Sequence, residues 1–434
     1  MNDPGLILIY VVPFLVALTI YLLSRRKKFR RAASVRTESE EAGLTEPTSL
    51  HPKIDLALCC GAAACVQACP EKEVIGIIGG KAQLIDPTAC IGHGACAAAC
   101  PTQAISLVFG TERRGVELPL IASNFETDVP GLFIAGELGG MGLIRNAIEQ
   151  GKQAIDGIAG DRHPRSHDML DLLIVGAGPA GFSASLAALQ KGLKFLTIEQ
   201  DSFGGTVAHF PRGKLVMTQP AELPIYGKVK FSEVSKEKLL SFWTEVKHET
   251  GLQISYQEEL KSLVQTPAGF EITTTKRSLK ARKVLLAIGR RGTPRKLGIP
   301  GEELSKVVYK MVDPAQFTNQ SVLVVGGGDS ALEAAATLSE ETNAKVTLAY
   351  RGSAFQRAKR KNRERVQTQM QNGSLDVLLN AKPIQIDGTH VLLQTEHGEL
   401  PLANDAIIIC AGGILPTGML KSFGVNIVTK YGEA

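Results

Sequence analysis

The sequence predicts an α/β protein with two doubly wound domains, preceded by a small α+β domain and one membrane-spanning helix. Three observations lead there. A strand, a glycine turn, a helix and a second strand follow one another twice, at 171–200 and 321–352. Seven of the eight cysteines fall between positions 59 and 100. Residues 5–23, "GLILIYVVPFLVALTIYLL", carry no charge.

The 434 residues suffice for two or three domains with their own cores. Glycine is abundant and aromatics are few, as in layers of Ala, Val, Ile and Gly. The formal charge is +5, but "RRKKFRR" at 25–31 holds six basic residues, so the remainder is nearly neutral. That argues against a nucleic-acid partner.

At the N-terminus, nineteen uncharged residues rise roughly 28 Å as a helix, about one hydrocarbon core. A cleaved signal peptide would place its basic residues before the apolar run, whereas here they follow it. The expectation is a retained single-pass anchor in the cell inner membrane, with the catalytic domains cytoplasmic. Its partners would then include the membrane and a quinone or cytochrome system. Residues 32–50 are polar, acidic and aperiodic, which predicts a flexible tether.

The cysteines form two runs, "CCGAAACVQACP" (59–70) and "CIGHGACAAACP" (90–101), each ending in C-x3-C-P. This spacing argues for iron–sulfur ligation; it is neither a disulfide framework nor a usual zinc pattern. The segment resembles two-cluster bacterial ferredoxins over about 55 residues, except at the second cysteine of each run. Those positions hold Ala62 and His93. The resemblance implies crossed ligand sets. Cys59, Cys65 and Cys100 would hold one cluster, and Cys90, Cys96 and Cys69 the other. Three outcomes stay open for the fourth position: His93 as a ligand, Cys60 as a substitute, or three-iron clusters. Each cluster is thus expected as [4Fe-4S] or [3Fe-4S].

In "DLLIVGAGPAGFSASLAALQKGLKFLTIEQ" the glycines stand where a dinucleotide fingerprint needs them. Gly176 makes the tight turn, Gly178 lets a pyrophosphate approach, and Gly181 lets helix meet strand. Glu199 would take ribose hydroxyls. Pro179, opening the helix, and Gly205 are further candidates. The second copy, "SVLVVGGGDSALEAAATLSEETNAKVTLAYRG", repeats the turn at Gly326 and Gly328, with Ser330 beside them and Ala331 for the third glycine. Its second strand ends on Tyr350 and Arg351 rather than an acid, and Arg357, Lys359 and Arg360 follow. Arginine pairs with a 2′-phosphate, which favours NADPH over NADH.

Two short crossings, 283–301 and 407–420, lie between and after these folds. With them, 166–434 resembles the thioredoxin-reductase-like flavoproteins, including bacillithiol-disulfide-reductase-like members. The resemblance implies FAD in the first fold, NAD(P)H in the second, and possible homodimers. In that branch a T-x-x-P-G-(I/L)-F-x-x-G-D segment and a helix follow the second crossing. Here the chain stops about twenty residues after it, and "TDVPGLFIAGELGG" (127–140) stands before the first fold instead. The expectation is circular permutation, with Gly136 and Glu137 in the flavin-contacting positions.

The branch's redox C-x-x-C has no counterpart at 307–320, and the cysteine of bacillithiol-type relatives is replaced by Ala180. Dithiol chemistry is therefore not expected, and no catalytic acid or base is nominated. The full expectation is α/β: two Rossmann-like FAD/NAD(P)-binding domains of the flavoprotein disulfide reductase type, behind a small α+β ferredoxin-like domain and one transmembrane helix. The boundaries are 1–24 anchor, 25–50 linker, 51–109 ferredoxin-like, 110–165 permuted segment, 166–295 FAD, 296–412 NAD(P)H and 413–434 return. The expected activity is an FAD-dependent NAD(P)H oxidoreductase exchanging electrons with its clusters and a redox partner protein. Alternatives are a redox sensor, or a reductase of an organic substrate fed by the clusters.

Overall fold

The computed structural model describes residues 4–47, 50–160, 168–210, 212, 214–217, 220–229, 234–290, 292–356 and 358–433. The chain forms two compact units, Met1–Gly115 with Tyr431–Ala434, and Val116–Lys430.

In the first unit, helix α1 spans Pro4–Glu41. This corrects the expected anchor: among the described residues no helix is long and apolar enough to cross a membrane. The apolar stretch does not end in a helix of its own. It continues through the six cations into a half whose Ala32 and Val35 pack on Ile85 and Ile78. The inner-membrane location and the membrane anchoring inferred from that stretch fall with it. The expected tether is also corrected, since helix persists to Glu41 and Leu44 and Leu50 beyond it are buried.

The rest of this unit is a small α+β fold. Strand β1 (His51–Ile54) pairs antiparallel with β4 (Ile105–Val108). Between them come α2 (Ala64–Ala68), the hairpin β2 (Ile75–Ile78) and β3 (Lys81–Leu84), and α3 (Ala95–Ala98). Gly79 and Gly80, both with positive φ, make the two-residue turn that matches strand twist. Cys59, Cys65 and Cys96 are buried in this unit's core with Val74, Ile75 and Ala104.

The second unit begins with β5 (Val116–Pro119), β6 (Leu132–Ile134) and α4 (Ile144–Ala159). The first glycine fold follows as β7 (Leu170–Val175), α5 (Pro179–Gln190) and β8 (Phe195–Ile198). Short strands β9 (Leu215–Met217), β10 (Ala221–Leu223), β11 (Gly227–Val229) and β12 (Val234–Ser235) lead to α6 (Lys236–Glu249). Then come β13 (Leu260–Thr266), β14 (Gly269–Thr274) and β15 (Ser278–Leu286). Their sheet runs β13-β14-β15-β7-β8, with β6 added parallel to β15 where Val284 faces Leu132. The residues preceding the first glycine fold thus complete its sheet. Helix α4 lies on α5, burying Ala147, Ala154, Ile155 and Ile158 against Ala180, Ala184 and Ala187.

The second fold contains β17 (Val307–Val308), β18 (Ser321–Val325), α7 (Asp329–Glu341), β19 (Lys345–Ala349), α8 (Arg360–Gln371), β20 (Leu375–Leu378) and β24 (Ala406–Ile409). Its parallel sheet runs β17-β24-β18-β19-β20, and β21 (Lys382–Ile386), β22 (His390–Thr395) and β23 (Gly398–Ala403) form an antiparallel meander. The crossings run side by side, with β16 (Thr293–Pro294) antiparallel to β25 (Gly413–Ile414). Helix α9 (Thr417–Ser422) precedes β26 (Ile427–Lys430), which pairs with β5.

Candidate functional site

At the first glycine turn, each glycine does what its position demands. Gly176 has φ +105, and a Cβ there would lie 2.5 Å from the Ala287 carbonyl oxygen. A Cβ on Gly181 would lie 1.8 Å from the Gly176 carbonyl oxygen, so helix and strand meet backbone to backbone. Gly178 is the open position, with nothing nearer than 3.8 Å to a Cβ. It precedes Pro179 at the start of α5, whose N-terminus has no side-chain cap. Uncapped N–H groups beneath open space fit a pyrophosphate. Gly205 lies on the other side, its Cβ position 3.0 Å from the Gly178 Cα.

Glu199 is buried at the end of β8 and its carboxylate is held from two sides. Oε2 accepts the Ala177 N–H at 2.7 Å and Oε1 the Asp201 N–H at 3.0 Å. A carboxylate so fixed keeps further lone pairs for ribose hydroxyls. The segment 127–140 reaches the same helix. Gly136 has φ +85, its N–H donates to Gln150 Oε1 at 2.8 Å, and its Cβ position is 3.0 Å from the Ala180 Cβ. Glu137 is half-buried in the next turn. Gln150, on α4, was not foreseen from sequence; its signal was only its place on the helix after the motif.

The second glycine turn repeats the geometry. Gly326 has φ +146, and its Cβ position is 2.5 Å from the Cys410 carbonyl oxygen. Gly328 is open, and it starts α7, which also lacks a side-chain cap. Ser330 and Arg351 are exposed. Arg357 lies outside the described residues. Asp329 Oδ1 accepts the Lys359 N–H at 2.8 Å and Asn362 Nδ2 at 2.7 Å, tying the basic segment to the start of α7. The packing of Tyr350 was not foreseen from sequence. Its ring stacks on Phe355 and fills the space where Gly327 or Gly352 would carry a Cβ. Burial pushes the Cys410 thiol up to about 12, so it is no nucleophile at neutral pH.

The cysteines separate into two cavities, each of about 300 Å³ with its mouth included. Cys59, Cys60, Cys65 and Cys100 line the first, and Cys69, Cys90, Cys96 and His93 line the second. The last cysteine of each run, Cys69 or Cys100, thus crosses to the other run's cavity. Burial holds Cys65 and Cys69 above the ordinary thiol range and Cys96 at about 11, and neighbouring cysteines add to each shift. Among the described residues no three such donors converge as around a single ion; they ring a space, as a multi-atom cluster requires.

The two loops share one conformation. Gly61 and Ala63 have positive φ, as do Gly92 and Gly94 in register with them. Ala62 therefore occupies the place of His93, and Cys60 that of Ile91. His93 Nδ1 accepts the Ala95 N–H at 2.9 Å. A neutral ring then carries its proton on Nε2, so neither nitrogen offers iron a lone pair in this arrangement.

Two dinucleotide-type folds joined by paired crossings, with a two-cavity cysteine domain on the same chain, define a pyridine-nucleotide-linked flavoprotein with an iron–sulfur module. Comparison with known families agrees: residues 173–431 match "Pyridine nucleotide-disulphide oxidoreductase" and residues 51–101 match "4Fe-4S dicluster domain". The chain belongs to the pyridine nucleotide-disulphide oxidoreductase family, and it is an FAD-dependent oxidoreductase with a 4Fe-4S domain. It is 33% identical over 271 residues to the ferredoxin–NADP reductase of Ignicoccus hospitalis, covering 60% of this chain and 83% of that one. Against the ferredoxin–NADP reductase of Thermus thermophilus identity is 31%, covering 60% and 78%. Among solved structures, the bacillithiol disulfide reductase Bdr of Staphylococcus aureus is similar with a TM-score of 0.52 and 25% identity, covering 60% of this chain and 81% of that one.

Proposed function

We propose that this protein passes electrons between NADPH, FAD and two iron–sulfur clusters, to or from a separate electron-transfer protein. The observation that supports this most is the pairing of two cysteine-lined cavities with a flavoprotein fold that lacks a redox dithiol. When bound, NADPH supplies a hydride, FAD converts two-electron into one-electron chemistry, and the clusters take electrons singly.

The chain's part is to bind and orient. Gly176, Gly178 and Gly181 hold the backbone where a pyrophosphate can meet the first N–H groups of α5. Glu199 is fixed by the Ala177 and Asp201 N–H groups to receive ribose hydroxyls. Gly136 and Glu137 complete the same site from the N-terminal side, as a circular permutation of the family order. Gly326 and Gly328 form the second cradle, and the exposed Arg351, after the strand that follows it, pairs with a 2′-phosphate. Each cavity offers three thiolates: Cys59, Cys65 and Cys100 in one, and Cys69, Cys90 and Cys96 in the other. His93 caps the turn into α3, and Cys60 lines the first cavity as Ile91 lines the second.

The test compares acceptors. The reconstituted full-length chain, supplied with NADPH, should reduce a bacterial-type ferredoxin and leave low-molecular-weight disulfides untouched. Disulfide reduction at a comparable rate would contradict the proposal.

A further inference from the structure

The two cavities differ in what surrounds their sulfurs. In the first, the Ala82 N–H donates to Cys59 Sγ at 3.3 Å and the Ala104 N–H donates to Cys100 Sγ at 3.3 Å. The Thr102 hydroxyl lies 3.7 Å from Cys100 Sγ. The Lys81 ammonium donates to the Cys59 carbonyl oxygen at 2.6 Å, which brings a full positive charge against this cavity. No acidic residue is among the described residues that line it. The second cavity is lined by Glu71, two positions from Cys69, and its sulfurs also receive backbone hydrogen bonds, from Glu71 to Cys69 and from Ala97 to Cys96, so the two cavities differ chiefly in the sign of the nearby side-chain charge. The Glu71 carbonyl oxygen lies 3.0 Å from Cys69 Sγ. Once that sulfur is a metal-bound thiolate, the carbonyl presents the negative end of its dipole to it.

Reducing a cluster adds one negative charge. Hydrogen bonds to the sulfurs and a nearby cation stabilise that charge, while a carboxylate and a carbonyl oppose it. From these contacts we infer that the two clusters have unequal potentials, with the first cavity accepting electrons ahead of the second, and that Lys81 and Glu71 set this order. With clusters bound, the internal step would be the loss of one electron by the reduced second cluster and its gain by the oxidised first. No bond or proton moves. The inference rests on the proposal that each cavity holds a cluster. Lys81 and Glu71 act through the ligand residues, so they are positioning residues.

The test is a potentiometric titration of the reconstituted full-length protein, with dithionite as reductant and EPR as the readout. Ala62→Cys tags the first cavity, because a fourth thiolate there changes that cluster's spectrum alone; His93→Cys tags the second. The signal altered by Ala62→Cys should be reduced first. Among singly reduced molecules the electron should sit on the first cluster at least ten times as often as on the second, about 59 mV for a one-electron couple. Lys81→Met should lower the potential of that signal and leave the other in place, and Glu71→Gln should raise only the other. If the signal tagged by Ala62→Cys titrates second, or if Lys81→Met moves the second cluster instead, the inferred order is wrong. Iron and sulfide analysis separates this from failure of the underlying proposal: protein that binds one cluster or none overturns the two-cluster reading itself.

Discussion

Gly151→Ala is the sharpest probe of how the FAD-type domain is completed. Gly151 sits in the middle of α4, where that helix crosses α5. A Cβ there would lie 2.1 Å from the Ala180 carbonyl oxygen, 3.0 Å from its carbon and 3.1 Å from the Ala184 nitrogen. Ordinary contact begins at 3.4 Å, so the helices must part by about 1.3 Å. Every clashing atom is backbone, and no side chain can swing away. Overpacking of this kind costs about 1–3 kcal/mol, here at the upper end. The better helix propensity of alanine returns about 1 kcal/mol. The net loss is about 2 kcal/mol, which lowers the melting temperature by roughly 4 °C. The assay is thermal and urea unfolding followed by Trp243, the single tryptophan, which shares a buried cluster with Ile148 of α4 and Phe182 of α5. Gly160→Ala is the control. It lies at the end of the same helix with φ −64, and the nearest atom is 3.6 Å from its Cβ position. That change should be neutral. If Gly151→Ala is as stable as the parent and leaves the Trp243 emission unchanged, α4 does not seat on α5.

Three further outcomes follow from the same contacts. His93→Ala should retain the EPR signal of the second cavity, because His93 Nδ1 is engaged by the Ala95 N–H while Cys69, Cys90 and Cys96 remain to hold a cluster; loss of that cluster on substitution would show ligation. Arg351→Ala should raise KM for NADPH about tenfold or more and leave that for NADH unchanged, since a charge-assisted bond is worth about 1.5–3 kcal/mol; steady-state kinetics with both nucleotides reads this. The buried Glu302 carboxylate accepts the Leu297 and Gly298 N–H groups at 2.6 and 2.7 Å and the Tyr309 hydroxyl at 2.7 Å. Burial alone would raise its pKa, but these bonds hold it below the usual range. Its stabilisation is therefore present above the unfolded value of about 4.3 and is lost as pH falls through the lower folded value. Glu302→Gln should cost about 1–3 kcal/mol at pH 7 and remove that acid dependence from the melting curve.

Much of this architecture is legible in the sequence because it depends on backbone chemistry that few residues satisfy. Gly176 and Gly181 are required by carbonyl oxygens that approach within 2.5 and 1.8 Å of their Cβ positions, so the turn can be read from spacing alone. The stretch 127–140 is legible for a related reason: its apolar triplet Leu132–Ile134 has to pair, and β15 is the strand it pairs with. The crossed cysteine sets are what the resemblance to two-cluster ferredoxins implies; in the structure Cys59, Cys60, Cys65 and Cys100 line one cavity and Cys69, Cys90 and Cys96 the other.

Other features depend on partners remote in sequence. Nothing in "KAQL" marks Lys81 as lying against Cys59, twenty-two positions earlier. The pairing of β5 with β26 joins strands some three hundred residues apart. The fate of His93 turns on one hydrogen bond with Ala95 that no pattern announces. The expected anchor failed for a different reason. Hydropathy in a nineteen-residue window reports how apolar a stretch is, but not that the helix continues to Glu41 and packs its far half on a neighbouring strand.

The measurement that bears most directly on the proposed electron path is an anaerobic titration of the reconstituted full-length protein with NADPH, monitored by visible absorbance and EPR together. Flavin bleaching accompanied by the appearance or loss of cluster EPR signals, at substoichiometric NADPH, is the expected result. A flavin that is fully reduced while both clusters keep their oxidised spectra would contradict the account.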